Sequence, residues 1–280
     1  MGNEQFAIRY AKETEICKTT LSEPAVIYAG DREKQTGKVW CDNKIEWSPQ
    51  GTYLVTFHAQ GVVLWGGEEW SKLLRFEHAG VTNILFSPKE RFLITWNGKT
   101  GEENMDAICI WDVRTGKLLR KMPCSDPEWP SYKFSYDEKY FATKGKDSIA
   151  VYAALSFCSY GSSYEFNTNS NSYFTQLDRK LIPAAGIRQF DWSPIKNYIV
   201  YWSEERQNKP GSAYILEIPS KQIIQSSSVA SVKSVCSVLQ RLRRYRWNSN
   251  GTMRVAIWLC ILRNIPRTGR TSTISSISLE

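Results

Sequence analysis

Histidine is scarce in this sequence, with two residues in 280, His58 and His78. An acid–base or hydrolytic centre working near neutral pH most often recruits an imidazole, so little material for such chemistry is present. The seven cysteines at 17, 41, 109, 124, 158, 236 and 260 form no Cys-x-x-Cys pair and no Cys/His cluster with zinc-ligand spacing. Reduced thiols and no bound metal are expected. No apolar run reaches 18 residues, and Met1 to Phe6 carry neither a basic nor an apolar leader region. The expectation is a cytoplasmic protein with no membrane contact. A phosphate-binding Gly-x-x-x-x-Gly-Lys-Ser/Thr loop is missing, and the spacing of Gly98-Lys99-Thr100-Gly101 does not replace it. Glu102-Glu103 and Glu204-Glu205 are adjacent carboxylates that point to opposite sides of an extended chain, not toward one substrate. Together these absences predict a non-enzymatic protein without a cofactor.

Charge of one sign is also missing from most of the chain. The net charge is +8, yet residues 1 to 232 hold 27 basic and 27 acidic side chains, whereas residues 233 to 280 hold nine basic ones and Glu280 alone. Screening makes distant exposed charges nearly independent, so the location of an excess counts for more than its size. The body is neutral and carries no signature of a phosphate-binding surface. In the tail, Val232, Val235, Val238, Leu239 and Leu242 fall at helical spacing with Arg241, Arg243 and Arg244 opposite. Those arginines, with Arg246, are the candidate RNA contacts. The competing reading is an off-pattern end with incidental arginines, poorly ordered or forming a short helix.

What is abundant is aromatic: 11 Trp, 14 Tyr and 11 Phe. They recur in a unit. Lys44-Ile-Glu-Trp47-Ser-Pro-Gln-Gly51-Thr-Tyr-Leu-Val-Thr56 is echoed by Thr82 to Thr95 around Phe86-Ser87-Pro88, by Arg188 to Val200 around Trp192-Ser193-Pro194, and by Ser131 to Thr143 around Phe134-Ser135-Tyr136. A weak fifth copy surrounds Trp247. Each reads as an alternating strand, a tight turn in which Pro presets φ, and a β-branched and aromatic strand. A third strand follows, as in Gly61 to Trp65, Ala107 to Asp112, Ser148 to Tyr152 and Ala213 to Leu216. A fourth is most legible from Thr115 to Lys121. The anchors are 39, 48, 58 and 55 residues apart, which fits one four-stranded propeller blade per unit with loop insertions. The predicted fold is all-β: a partial WD-type β-propeller of about five four-stranded blades over residues 1–232, with an irregular basic tail at 233–280. Residues 157 to 184 are non-periodic and Ser/Asn/Tyr-rich, and are expected to be a surface insertion.

The run from Trp47 to Gly67, ending Leu64-Trp65-Gly66-Gly67, resembles a blade of the B subunit of eukaryotic translation initiation factor 3. So do Arg75 to Gly80, Phe86 to Thr95, Ala107 to Asp112, Trp129 to Ser135 and Gly186 to Pro194, covering roughly residues 3 to 225. The resemblance implies a nine-bladed propeller flanked by an RNA-recognition module and a subunit-joining segment, neither of which is expected in this chain. It also implies a translation-initiation scaffold whose partners are other initiation factor 3 subunits, the small ribosomal subunit and RNA. Alternatives are an initiation factor 2A-type propeller and a direct RNA binder acting through the tail. With about five blade starts, and an end that leaves the family pattern after Thr252, the sequence is expected to be a truncated or misread product.

Candidate residues follow from the blade pattern. His78, in Glu77-His78-Ala79-Gly80, stands where WD-type repeats place a loop histidine, and with Thr95, Asp106 and Trp111 it resembles their buried hydrogen-bond tetrad. His58 is expected in a loop between the second and third strands. Trp47, Trp65, Trp111 and Trp192 are expected in the core, where cutting one to Ala costs several kcal/mol. Trp70, beside Glu68-Glu69, and Trp129, before Pro130, are the candidate exposed contact residues.

Overall fold

The computed structural model describes residues 4–10, 13–20, 23–124, 128–130, 132–155, 173–206 and 210–228. The chain divides into two compact units, Met1–Pro183 and one that begins at Ala184. The first unit opens with a three-stranded sheet of β1 (Gln5–Tyr10), β2 (Glu13–Lys18) and β3 (Ala25–Tyr28), followed by a short helix α1 (Asp31–Gln35). Next comes a sheet of β4 (Ile45–Trp47), β5 (Tyr53–His58), β6 (Gly61–Gly66) and β7 (Ser71–Glu77). A third contains β8 (Asn83–Phe86), β9 (Phe92–Trp96), β10 (Ile108–Asp112) and β11 (Leu118–Met122). The fourth has β12 (Tyr132–Phe134), β13 (Tyr140–Lys144), β14 (Ser148–Leu155) and β15 (Tyr173–Gln176), with β16 (Ile182–Pro183) also paired to β14. In the second unit β17 (Ile187–Trp192), β18 (Tyr198–Ser203), β19 (Ser212–Glu217) and β20 (Ile223–Ser228) form one sheet. Every pairing is an antiparallel neighbour in sequence, apart from β14 with β16, which is antiparallel too. Among the described residues, the four sheets of the first unit and the one of the second are blades of a partial WD-type β-propeller fold.

Each repeat becomes a hairpin through its serine. Ser48, Ser87, Ser135 and Ser193 donate their N–H to the carbonyl of the residue five positions on, at 2.8 to 2.9 Å. In the first three, the serine Oγ also accepts the N–H of that same residue, Tyr53, Phe92 or Tyr140, at 2.9 to 3.0 Å. All four serines are buried. In those three the hydroxyl closes the turn from within, and it does so even where Tyr136 replaces Pro.

Strands buried on both faces explain the near-continuous apolar runs. Alternate residues of one strand serve different cores. Leu54, Val63 and Trp65 pack with Ile16, Tyr28, Trp40 and Trp70 on the side of the first sheet. Val55, Phe57, Val62, Leu64 and Phe76 face the other way, against Leu93, Cys109 and Trp111. The third sheet repeats the division: Phe92, Ile94, Ile108 and Ile110 pack with Phe134, Phe141 and Phe174 of the fourth. At Gly61, a Cβ would lie 2.1 Å from the Phe76 carbonyl oxygen, so the β5–β6 turn admits only glycine. Arg9 of β1 ties the first sheet to the loop before β4 by donating to the carbonyls of Cys41 at 3.0 Å, Asp42 at 2.9 Å and Asn43.

Two expectations need correction. The segment 157 to 184 is not wholly a surface insertion: residues 173–176 supply the outer strand of the fourth sheet, and Phe174 is fully buried among Phe92, Phe134 and Phe141. Its Ser/Asn-rich neighbours hid a four-residue strand whose identity depends on what it packs against. The first sheet, residues 5 to 28, has no Trp-Ser-Pro unit to announce it. The repeat around Trp247 and the tail from 233 to 280 lie outside the described residues.

Candidate functional site

The residues that carry chemistry gather along lines of hydrogen bonds inside two sheets. In the third sheet, Trp111 Nε1 of β10 donates to Thr95 Oγ1 of β9 at 2.9 Å, and Thr95 Oγ1 lies 2.7 Å from His78 Nδ1. Thr95 Oγ1 also lies 3.5 Å from the carbonyl oxygen of Cys109, at the limit of a hydrogen bond. All three side chains are buried. Burial pushes the His78 imidazole below its ordinary value, while the Asp106 backbone and charge oppose that shift. Of the four residues that the sequence groups here, the structure joins His78, Thr95 and Trp111. Asp106 is exposed, and His78 Nε2 has no hydrogen-bond partner.

A second line runs through the sheet before it. Trp65 Nε1 of β6 donates to Thr56 Oγ1 of β5 at 2.8 Å, Thr56 Oγ1 meets His58 Nε2 at 2.9 Å, and His58 Nδ1 lies 3.1 Å from Asp42 Oδ2. Asp42 stands five residues before the Trp47 anchor, whereas His78 stands eight before Phe86, and His58 closes the second strand of its sheet, whereas Asp106 lies just before the third strand of its own. His58 is therefore not a loop residue; it ends β5. The His and Asp of this line occupy other places in the repeat than His78 and Asp106, which concealed it from a pattern search. The signal that remained was a strand threonine facing a third-strand tryptophan, Thr56 against Trp65 as Thr95 against Trp111.

An Asp–His–Thr line resembles a proton relay, but Thr56 Oγ1 already accepts the indole N–H and is fully buried, so the hydroxyl is presented to no substrate. The geometry does the work of cross-linking two strands and a loop. Among the described residues, no three His, Cys, Asp or Glu side chains gather where a metal could be held. Burial raises the thiol of Cys17 and of Cys41, and pushes that of Cys109 up to about 11. Glu204 is paired with Arg188, whose Nε donates at 2.6 Å, and so is not a free carboxylate.

The two tryptophans expected at the surface differ. Trp70 is buried, 5 % exposed, with its ring edge-on to Trp47 at 5.2 Å. Its expected exposure is overturned. A left-handed backbone, φ 52, turns the indole inward despite the flanking glutamates. Arg32 of α1 holds that turn through the carbonyls of Glu69 and Trp70 at 2.6 and 2.7 Å. Trp129 is half-buried and lies flat on Trp96, with centroids 5.3 Å apart and planes at 7°. Trp65, Trp111 and Trp192 are buried and Trp47 is half-buried. Arg241, Arg243, Arg244 and Arg246 lie outside the described residues.

No family model matches the chain. A curated relative from Xenopus laevis, the B subunit of eukaryotic translation initiation factor 3, is 32% identical over 262 residues, covering 92% of this chain and 33% of its own length. Relatives of the same name from Aedes aegypti and Drosophila mojavensis are each 36% identical, over 79% and 77% of this chain. The chain belongs to the B-subunit family of eukaryotic translation initiation factor 3. It spans about a third of the length of these relatives, 33% and 28% for the first two. A solved structure titled "Crystal structure of the eukaryotic initiation factor" aligns with a TM-score of 0.58 at 20% identity, over 81% of this chain and 53% of that one. At that identity the likeness bears on the fold. Among the described residues of this member of the initiation factor family, no helix is long and apolar enough to cross a membrane.

Proposed function

We propose that the chain is a non-catalytic scaffold of the cytoplasmic initiation factor 3 complex, presenting loops and sheet faces to other subunits and to the small ribosomal subunit. The observation that carries this reading is the match to B-subunit sequences over 77 to 92% of the chain. The packing supports it. Interfaces draw most of their energy from a few aromatic and arginine anchors, and an anchor loses least entropy when its frame already holds it. Trp129, seated flat on Trp96, is such an anchor. The test is retention of initiation factor 3 subunits, and co-sedimentation with small ribosomal subunits, by the tagged full chain in a eukaryotic extract. The chain is expected to retain subunits, and Trp129→Ala to weaken retention about tenfold or more, the scale of an interface anchor. Retention of no initiation factor subunit would end the scaffold reading.

The charge distribution favours a second function alongside the first. Residues 1–232 act as the propeller part, and residues 233–280 as a basic tail contacting RNA through Arg241, Arg243, Arg244 and Arg246. Single-strand RNA affinity then falls with salt at a log–log slope of about −0.7 per phosphate contacted. Deleting residues 233–280 is expected to abolish it; binding that survives the deletion would place the contacts elsewhere.

A further inference from the structure

Two glutamates occupy backbone that an L-residue adopts only with strain. Glu90 has φ 61 and Glu138 φ 62, each at the fourth place after the aromatic anchor of its repeat, in Phe86-Ser-Pro-Lys-Glu90 and Phe134-Ser-Tyr-Asp-Glu138. The first repeat fills that place with Gly51, φ 77, for which this backbone costs nothing. Both glutamates are also buried, at 7% and 6% exposure. A strained, buried carboxylate recurring at one place of a repeat calls for a compensating partner.

The partner is the same in both cases. Glu90 Oε1 accepts the backbone N–H of Gln50 at 2.7 Å, and Glu138 Oε1 accepts that of Lys89 at 2.6 Å. Gln50 and Lys89 are each the third residue after the anchor, in the turn of the sheet before. Gln50 adds a second bond in the same direction, from its Nε2 to the Pro88 carbonyl at 3.1 Å. A turn N–H of that kind has no strand partner of its own, and a charged acceptor makes the stronger class of hydrogen bond.

We propose that Glu90 and Glu138 form a one-way latch, in which each sheet's turn glutamate caps the turn N–H of the sheet before it and so fixes the stacking of consecutive sheets. The direction is built into the covalent order, because the acceptor always comes from the later sheet. A turn is completed only when the next sheet arrives, so the sheets lock in the order in which they are synthesised.

Amide hydrogen exchange of the full chain distinguishes this from ordinary destabilisation. Glu90→Gly suits the left-handed backbone and removes only the acceptor. It is expected to speed exchange at the Gln50 amide about tenfold while the Lys89 amide keeps its rate. Glu138→Gly is expected to do the reverse, and Glu90→Gln, which keeps a carbonyl acceptor, to restore part of the Gln50 protection. In the unsubstituted chain a through-bond scalar coupling between the Gln50 nitrogen and the Glu90 carboxyl carbon is expected. The latch is refuted if the two amides respond together in both variants, if neither responds, or if that coupling is missing while strand couplings are seen.

Discussion

Trp65 and Trp111 hold matching places in adjacent sheets, and each directs its indole N–H to a strand threonine, Thr56 at 2.8 Å and Thr95 at 2.9 Å. Thr95→Val keeps the shape and removes the hydroxyl, stranding the Trp111 N–H and the His78 ring nitrogen in a dry core. The expected loss is about 1–3 kcal/mol for each orphaned group. Thr56→Val should cost less, because the His58 side chain is 19% exposed and water can take over its bond. Urea-unfolding midpoints measure both; equal losses would contradict the role assigned to burial.

Acid should weaken the fold through His78. Burial lowers its folded value below the 6.5 of the open chain, so between those two values the unfolded state binds more protons. Stability from this group is complete above about pH 7 and is lost as pH falls through 6.5 toward the folded value. Melting temperature measured from pH 8 to 5.5 should show that decline, and His78→Gln should flatten it. An unchanged slope in the variant would assign the decline to another group.

The turn serines give a graded series. Ser48→Ala, Ser87→Ala and Ser135→Ala each strip the acceptor from a closing N–H bond of 2.9 to 3.0 Å, at an expected cost of about 1–3 kcal/mol. Ser193 Oγ makes only long contacts, 3.4 Å to the Ile195 N–H and 3.3 Å to the Lys196 N–H, so Ser193→Ala should be milder. Chemical denaturation of the four variants tests the ranking. The same burial predicts that the Ser-Pro pairs at 48, 87 and 193 resist proline-directed phosphorylation in the folded chain.

Cys109 should resist alkylation. Its thiol is 2% exposed and burial pushes it up to about 11, leaving almost no thiolate at pH 8. Peptide mapping after iodoacetamide treatment should find Cys109 unmodified until urea is added. Labelling at the native rate of a free thiol would mean that the third sheet opens easily.

Much of the fold was legible because its signals are local. Trp47-Ser48-Pro49, Phe86-Ser87-Pro88 and Trp192-Ser193-Pro194 encode hairpins through turn chemistry that acts within five residues. Near-continuous apolar runs in β5, β6 and β9 encode two buried faces, and the order of repeats encodes the succession of sheets. The tryptophan site was less legible. Trp70 sits beside two glutamates, which reads as surface, yet its left-handed backbone and the Arg32 clamp turn it inward. His58 reads as a loop residue because Asp42, its partner, is 16 residues away in the chain and 3.1 Å away in space.

By itself the sequence determined the class of structure, the hairpin positions and the family, since each depends on residue type at short, repeating spacing. Only the tertiary structure decided which strand completed the fourth sheet, which of Trp70 and Trp129 was buried, how the Asp42–His58 line closed, and where Glu90 and Glu138 found their partners. Those outcomes depend on groups brought together from distant or adjacent repeats, and residue type at a given place in a repeat does not say which group across that gap will meet it.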